Sequence, residues 1–282
     1  MNIKQYLIFL FFAFNFNIIF GQIKDFDEEQ LNAHTKLVSQ FFLRFNNEEN
    51  KYNIKYNKNS LFFRSNFGRK KMLKELFDKE NFEIKDTLKN EFISFITNDD
   101  NPLFIEFFKS NWFAQVNTNF LYFGKKEKII LFFKLETKNN ASKWILKNVF
   151  FERYYKSFYN SEKEEKKFIS PISHELEFFN LIKIFKDYEN IEYYTSDNYE
   201  IDFLSIFLYD VKKENLKFIN IDNKIKFHFF QIKEWYFSLS FFNRKNYNSG
   251  WLISDLIKIN KKNKNIILNF ISKSSKKIRN EK

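Results

Sequence analysis

Three histidines, six arginines and no cysteine are the residues with which this chain could do specialised chemistry. The absence of cysteine rules out a thiol nucleophile, a disulfide framework and a thiolate zinc site. His174 and Glu175, in SPISHELEFF, fall in the first turn of a helix that Ser170 caps and Pro171 opens. The helix dipole there lowers a histidine pKa and favours the acid, an arrangement suited to proton transfer or ligand contact. Plain capping, with Glu175 and Glu177 as first-turn acids, is the other reading. HELEF lacks the second histidine of the HExxH zinc pair, and any metal site would need distant carboxylates, so neither metal nor cofactor is assigned. His34, among charged neighbours on the first helix, reads as a surface residue. His228 sits in KIKFHFFQI, where strand alternation puts Lys224, Lys226 and His228 on one face and Ile225, Phe227 and Phe229 on the other. That face is either solvated or lines a concavity.

Arg244 stands out because only Arg44, Arg64, Arg69, Arg153, Arg244 and Arg279 interrupt a basic complement that is otherwise lysine. A buried ion pair or carboxylate clamp requires arginine over lysine, while an exposed turn residue does not. Asn243 and Arg244 lead into NSGW, where Asn248 and Gly250 supply turn conformations and Trp251 opens a strand with a buried aromatic face. Asp99 and Asp100 in TNDDNP read as a helix-ending turn. Glycine-rich phosphate loops, a GxSxG elbow and the kinase motifs are absent, and nothing marks a Ser-His-Asp triad.

The elements that carry these residues follow from periodicity. Leu31, Leu37, Val38, Phe41, Phe42 and Phe45 recur at helical spacing over 26–46. Shorter helices are predicted over 69–78 and 86–97, with a short strand at 61–64 before them. Strands are predicted at 103–108, 112–123, 127–136 and 143–152, with a hairpin at Gly124 and Lys125. After the charged stretch NSEKEEKK at 160–167 the order repeats in shorter form: helices to about 186 and over 199–212, then strands at 216–232, 234–243 and 250–259. EFISF at 91–95 parallels DFLSI at 202–206, an offset of 111, and NNASKWILK at 139–147 parallels NYNSGWLIS at 246–254, an offset of 107. Trp144 thereby corresponds to Trp251. Either an internal duplication or a biased composition yields such matches.

Helices followed by an antiparallel meander define an α+β class, helices packed on curved antiparallel sheets. The start VSQFFLRFNNEE at 38–49 and the hairpin SNWFAQVNTNFLYFGKKEKIILFFKLE at 110–136 resemble the NTF2-like (SnoaL-like) cone over residues 23–152, and residues 168–260 resemble a reduced second copy. The resemblance implies two halves whose sheets wrap around helices, some such cones holding a ligand, some being enzymes and many binding proteins. An isomerase or hydratase of this type would place a polar group among inward-facing aromatics, for which His228, Asn243 and Arg244 are the candidates. The chain as a whole also resembles exported proteins of Bacteroidetes, from which no activity carries over.

Composition bounds the partners. The chain has 42 Phe but 4 Gly, 2 Pro and 4 Ala, the mark of AT-rich codons, so most of the +12 net charge is lysine supplied by that bias. Residues 261–282 carry seven Lys and Arg279 against Glu281, and read as a solvated basic tail that could touch an anionic surface. Aromatic residues interleaved with lysine mimic a single-strand nucleic-acid platform, but half-buried strands have the same alternation, and nucleic acid is set aside. MNIKQYLIFLFFAFNFNIIFGQ reads as a secretory leader over 1–21, cleaved near Gly21, with an uncleaved anchor as alternative. The expectation is an exported, periplasmic or secreted protein that binds a protein partner or a small apolar ligand. An envelope-associated enzyme or a structural subunit of an envelope complex is the alternative.

Overall fold

The computed structural model of the chain describes residues 38–50, 52–138, 141–158, 185–186, 188–196, 199–244 and 248–272. The leader at 1–21, His34, the 160–167 stretch, His174 and Glu175 lie outside the described residues. The chain divides after Gln40 into two units, and of the first, residues 38–40 are described, as helix. The second unit, from Phe41 onwards, is helical at 41–45 and then contains α1 (Asn66–Glu75) and α2 (Asp86–Ile96). A meander follows, β1 (Trp112–Tyr122), β2 (Lys125–Lys138) and β3 (Ala141–Phe150). Next come α3 (Glu152–Phe158), a 3-10 turn at Tyr188–Tyr194, and α4 (Phe203–Lys212). A second meander, β4 (Leu216–Phe229), β5 (Trp235–Phe242) and β6 (Gly250–Lys258), leads into α5 (Lys261–Ser272).

Strands from both expected segments, 23–152 and 168–260, join one open antiparallel sheet in the order β3-β2-β1-β4-β5-β6. The two meanders meet through their first strands, Trp112 opposite Phe229 and Tyr122 opposite Leu216. Exchanging β1 with β4, β2 with β5 and β3 with β6 leaves that order unchanged. β4 is longer than β1, and the excess is taken up by irregularities opposite Val116–Thr118 and Asn119–Phe120, which bend the sheet.

The helices cross over between meanders. Phe203 and Phe207 of α4, one turn apart, pack with Phe120, Ile129, Leu131 and Val149 of β1–β3. The α4 start is set by Asp202, whose carboxylate accepts from the Leu204 amide at 3.0 Å and from the Ser205 hydroxyl at 2.6 Å. Phe41, Phe45 and Phe92, from the N-terminal helices, instead pack on β4 and β5. The Phe229 and Phe237 rings stack at 4.7 Å, Phe45 stacks on Phe237 at 5.7 Å, and Phe92 meets Trp235 edge-on at 5.1 Å. Residues after α1 also cap the β6 edge, with the Ile253 amide donating to the Leu76 carbonyl and the Asp78 amide to the Ile253 carbonyl.

Arg69 locks this corner. It is fully buried, and its guanidinium donates to the carbonyls of Phe45, Ile96 and Leu103, two of them at helix ends, while stacking 4.4 Å from the Phe104 ring centroid. Five donors in a planar fork suit three converging carbonyls, which a lysine could not span. Burial, with Arg64 nearby, lowers its pKa to about 10.

Several sequence expectations are corrected. Residues 103–108 form no strand, because their polar groups are taken by side chains: the Ile105 amide and carbonyl by Asn46, the Leu103 carbonyl by Arg69. Residues 61–64 are turns, with the Phe62 carbonyl held by the Asn47 amide at 2.9 Å and Arg64 at φ 56°. The first hairpin turns on Phe123 and Gly124, both at positive φ, one residue earlier than expected. The basic tail begins later than 261, because Ile266, Ile267, Leu268, Phe270 and Ile271 supply an apolar stripe that makes 261–272 a helix. It packs on the second face of the sheet, beside Phe113, Phe132, Phe230 and Tyr236. Asn148 donates to the Phe270 carbonyl and Lys264 to the Phe230 carbonyl, pinning both ends of that contact.

Candidate functional site

The α5-bearing face of the sheet carries a connected group of polar side chains. Cross-strand partners share a face, and the register places His228 opposite Ser238, Ser238 opposite Asp255, and both Gln115 and Ser240 opposite Lys226. Alternation in WYFSLSFF sends Tyr236, Ser238 and Ser240 to this face while Trp235, Phe237 and Leu239 enter the aromatic core. An irregularity between Ser238 and Leu239 in the β5–β6 pairing shifts the register, so Ser254 and Asp255 both reach the same group.

His228 is 7% exposed and both of its ring nitrogens are engaged. Its Nε2 lies 3.0 Å from Gln115 Oε1, and Gln115 donates its amide to Asn117 Oδ1. That assigns the proton to Nε2, leaving Nδ1 to accept from the Tyr236 hydroxyl at 2.8 Å. Burial, then the neighbouring Lys226 charge, lowers the histidine pKa to about 4, although Asp255 opposes this. Burial likewise pushes the Tyr236 phenol well above its ordinary value. Burial raises the Asp255 pKa, but hydrogen bonds from Ser238, Lys226 and Ser254 outweigh it and hold the carboxylate below its ordinary range. Lys226 Nζ reaches Asp255 Oδ2 at 2.9 Å.

His228, Ser238 and Asp255 thus lie in one row on three adjacent strands, the residue types of a hydrolytic triad. Their bonds run differently from a triad. Ser238 donates to Asp255 rather than to the imidazole, and the imidazole nitrogen free to take a proton faces Tyr236. The arrangement bolts β1, β4, β5 and β6 together, with every polar atom named here in a bond.

Arg244 forms a second cluster, at the β5–β6 connection. Its Nη1 lies 2.7 Å from Asp78 Oδ1, its Nε 3.1 Å from Glu80 Oε2, and its guanidinium 4.3 Å from the Phe242 ring centroid. Of the two sequence readings, the ion pair is the one present. Asn248 completes the tie through its side chain, accepting from the Lys79 amide and from Arg244 and donating to the Phe77 carbonyl. Gly250 takes the positive φ of a turn, at 91°. Asn243 is exposed beside Arg244, and the two are separate from the His228 row. Trp251 packs on Phe227 at 4.8 Å and on Phe241 at 5.4 Å. Trp144 packs on Trp112 at 5.0 Å.

Sequence reasoning singled out His228 and missed Gln115, Tyr236, Ser238 and Asp255. Alternation made Tyr236, Ser238 and Ser240 readable as one face. Asp255 was hidden because the strand irregularity breaks its parity. Arg69 carried the same rarity signal as Arg244 and was passed over. Among the described residues, no three His, Asp or Glu side chains converge as a metal site requires. Comparison with protein-family models, with curated proteins and with solved structures finds no match to this chain.

Proposed function

We propose that the protein is an exported binding protein that works through its surface rather than by a reaction. One observation carries this reading. The space between helices and sheet, where an NTF2-like cone would admit a ligand, is occupied by the packed rings of Phe41, Phe45, Phe92, Phe229 and Phe237. A helix–sheet space so filled leaves the outside of this part of the molecule for partners. The symmetric strand order supports reading the two meanders as copies of one NTF2-like unit. Export rests on the apolar segment at 1–21, and among the described residues no helix is long and apolar enough to cross a membrane.

Titrating the folded chain with a fluorescent fatty acid tests the reading. The expected result is no saturable uptake; one-to-one uptake that is changed by Phe237→Ala would make the protein an apolar-ligand carrier instead. Recovery of an envelope or secreted chain beginning at Gln22 is the expected result for export, and recovery of the intact chain from the cytoplasm refutes it. The row His228–Ser238–Asp255 favours a second reading, an envelope-associated hydrolytic enzyme. Ester hydrolysis abolished by both Ser238→Ala and His228→Gln in folded variants would establish that reading and displace the first.

A further inference from the structure

The segment from Asn50 to Lys74 contains no acidic residue, yet it displays some of the most exposed large apolar side chains in the molecule. Leu61 is 95% exposed, Phe67 89% and Phe62 65%, with Tyr52 and Ile54 also open to solvent. So many large apolar groups exposed within 16 residues are denser than the single exposures of an ordinary surface.

They are displayed by an ordered loop. Asn47 donates to the Phe62 carbonyl and its own carbonyl accepts from the Arg64 amide, closing the loop at its base. Gly68 lets α1 approach: a Cβ there would stand 2.9 Å from the Asn47 amide nitrogen. Asn50 Oδ1 accepts from the amides of Tyr52 and Ile54, and Arg64 pairs with Glu48 while lying 4.5 Å from the Phe104 ring centroid. The Tyr56 ring stacks on Phe62 at 6.0 Å.

The α1 helix adds charge to the same display. Arg69 and Leu73 form its buried stripe. At 100° per residue, Phe67, Lys71 and Lys74 fall on the opposite side, with Lys70 on the flank. All three lysines are exposed, as are Lys55 and Lys58 in the loop, and among the described residues none of the five is in an ion pair. These basic side chains are therefore open to solvent on the stretch of chain that carries Leu61, Phe62 and Phe67, while Glu75, at the end of the same helix, pairs with Lys79.

We propose that residues 52–74 form a peripheral docking face for an anionic lipid bilayer. Leu61, Phe62 and Phe67 enter the boundary between headgroups and acyl chains, and Lys55, Lys58, Lys70, Lys71 and Lys74 contact lipid phosphates. Charge complementarity selects this occupant. A basic face with protruding aromatic and aliphatic tips matches a negatively charged interface that has an apolar layer beneath it. This goes beyond the binding reading above and does not depend on the interior being filled.

Co-sedimentation of the full chain with phosphatidylglycerol–phosphatidylcholine vesicles, with pure phosphatidylcholine vesicles as control, provides the test. Binding is expected to the anionic vesicles only, and to fall as salt is raised. Charge reversal in Lys70→Glu/Lys71→Glu should weaken it by at least about 25-fold, roughly fivefold for each lysine removed. Leu61→Ser/Phe67→Ser should weaken it at unchanged charge, with the thermal midpoint unchanged because both side chains are exposed. Equal binding to neutral vesicles would assign the contact to the apolar N-terminal segment and overturn the proposal. Binding kept in both loop variants and lost in Lys276→Glu/Lys277→Glu would assign it to the C-terminal basic residues, overturning it as well. No vesicle binding, or self-association abolished by Leu61→Ser/Phe67→Ser, would give the face to a protein or a second copy instead.

Discussion

Replacing His228 by glutamine should remove most of a specific acid sensitivity. In the folded chain His228 is neutral, its two nitrogens held by Gln115 and Tyr236, with a pKa of about 4 against about 6.5 when free. Below pH 6.5 the unfolded chain therefore binds a proton that the folded chain refuses, and stability falls as pH falls. The loss begins near pH 6.5 and levels off below pH 4. With about 1.4 kcal/mol for each pH unit between the two values, it reaches about 3 kcal/mol at pH 4. Asp255 stays ionised through this window because its pKa is held below the ordinary carboxylate value, so the Lys226 pair gives way only at still lower pH. Urea unfolding of wild type and His228→Gln at pH 7 and pH 4 measures the effect. Glutamine should be less stable at pH 7, by about 1–2 kcal/mol for imperfect hydrogen bonding. Its further loss on going to pH 4 should be smaller than that of wild type by about 3 kcal/mol. Groups common to both proteins cancel in this difference. If the variant loses as much as wild type between the two pH values, the buried neutral imidazole is refuted.

Other consequences are directly measurable. Arg69→Met should cost about 3–5 kcal/mol in urea unfolding, since two buried carbonyls and one partly buried lose their donor, and Arg69→Lys should recover only part of it. Trp251→Ala should cost about 3–5 kcal/mol, and an unchanged stability would remove Trp251 from the core. Gly250→Ala meets no neighbour and should lose only about 1–2 kcal/mol, the cost of the left-handed backbone. Gly68→Ala, which presses on Asn47, should cause faster proteolytic cleavage within 52–65, and an unchanged cleavage rate would show that the loop is not held through Asn47.

The alternation in WYFSLSFF and KIKFHFFQI, the helical spacing at 86–97 and within 199–212, and the turn signals around Gly124 and Gly250 are local properties. Each is set by residues a few positions apart, so the sequence alone determined most elements and the sidedness of β4 and β5. It also marked Arg244 by its rarity, but it put His228 on a solvated or concave face, whereas packing of the C-terminal helix and neighbouring strands buries it. The tertiary structure alone decided that the two meanders share one sheet, since hydrogen bonding between β1 and β4 joins residues about a hundred positions apart. It turned 103–108 from an expected strand into a loop, because Asn46 and Arg69 arrive from elsewhere to take its backbone groups. It also joined His228 to Tyr236 and Gln115 rather than to Ser238, a choice of partner that depends on register between strands. Periodicity records which way a side chain points, and only packing between distant segments decides what it meets there.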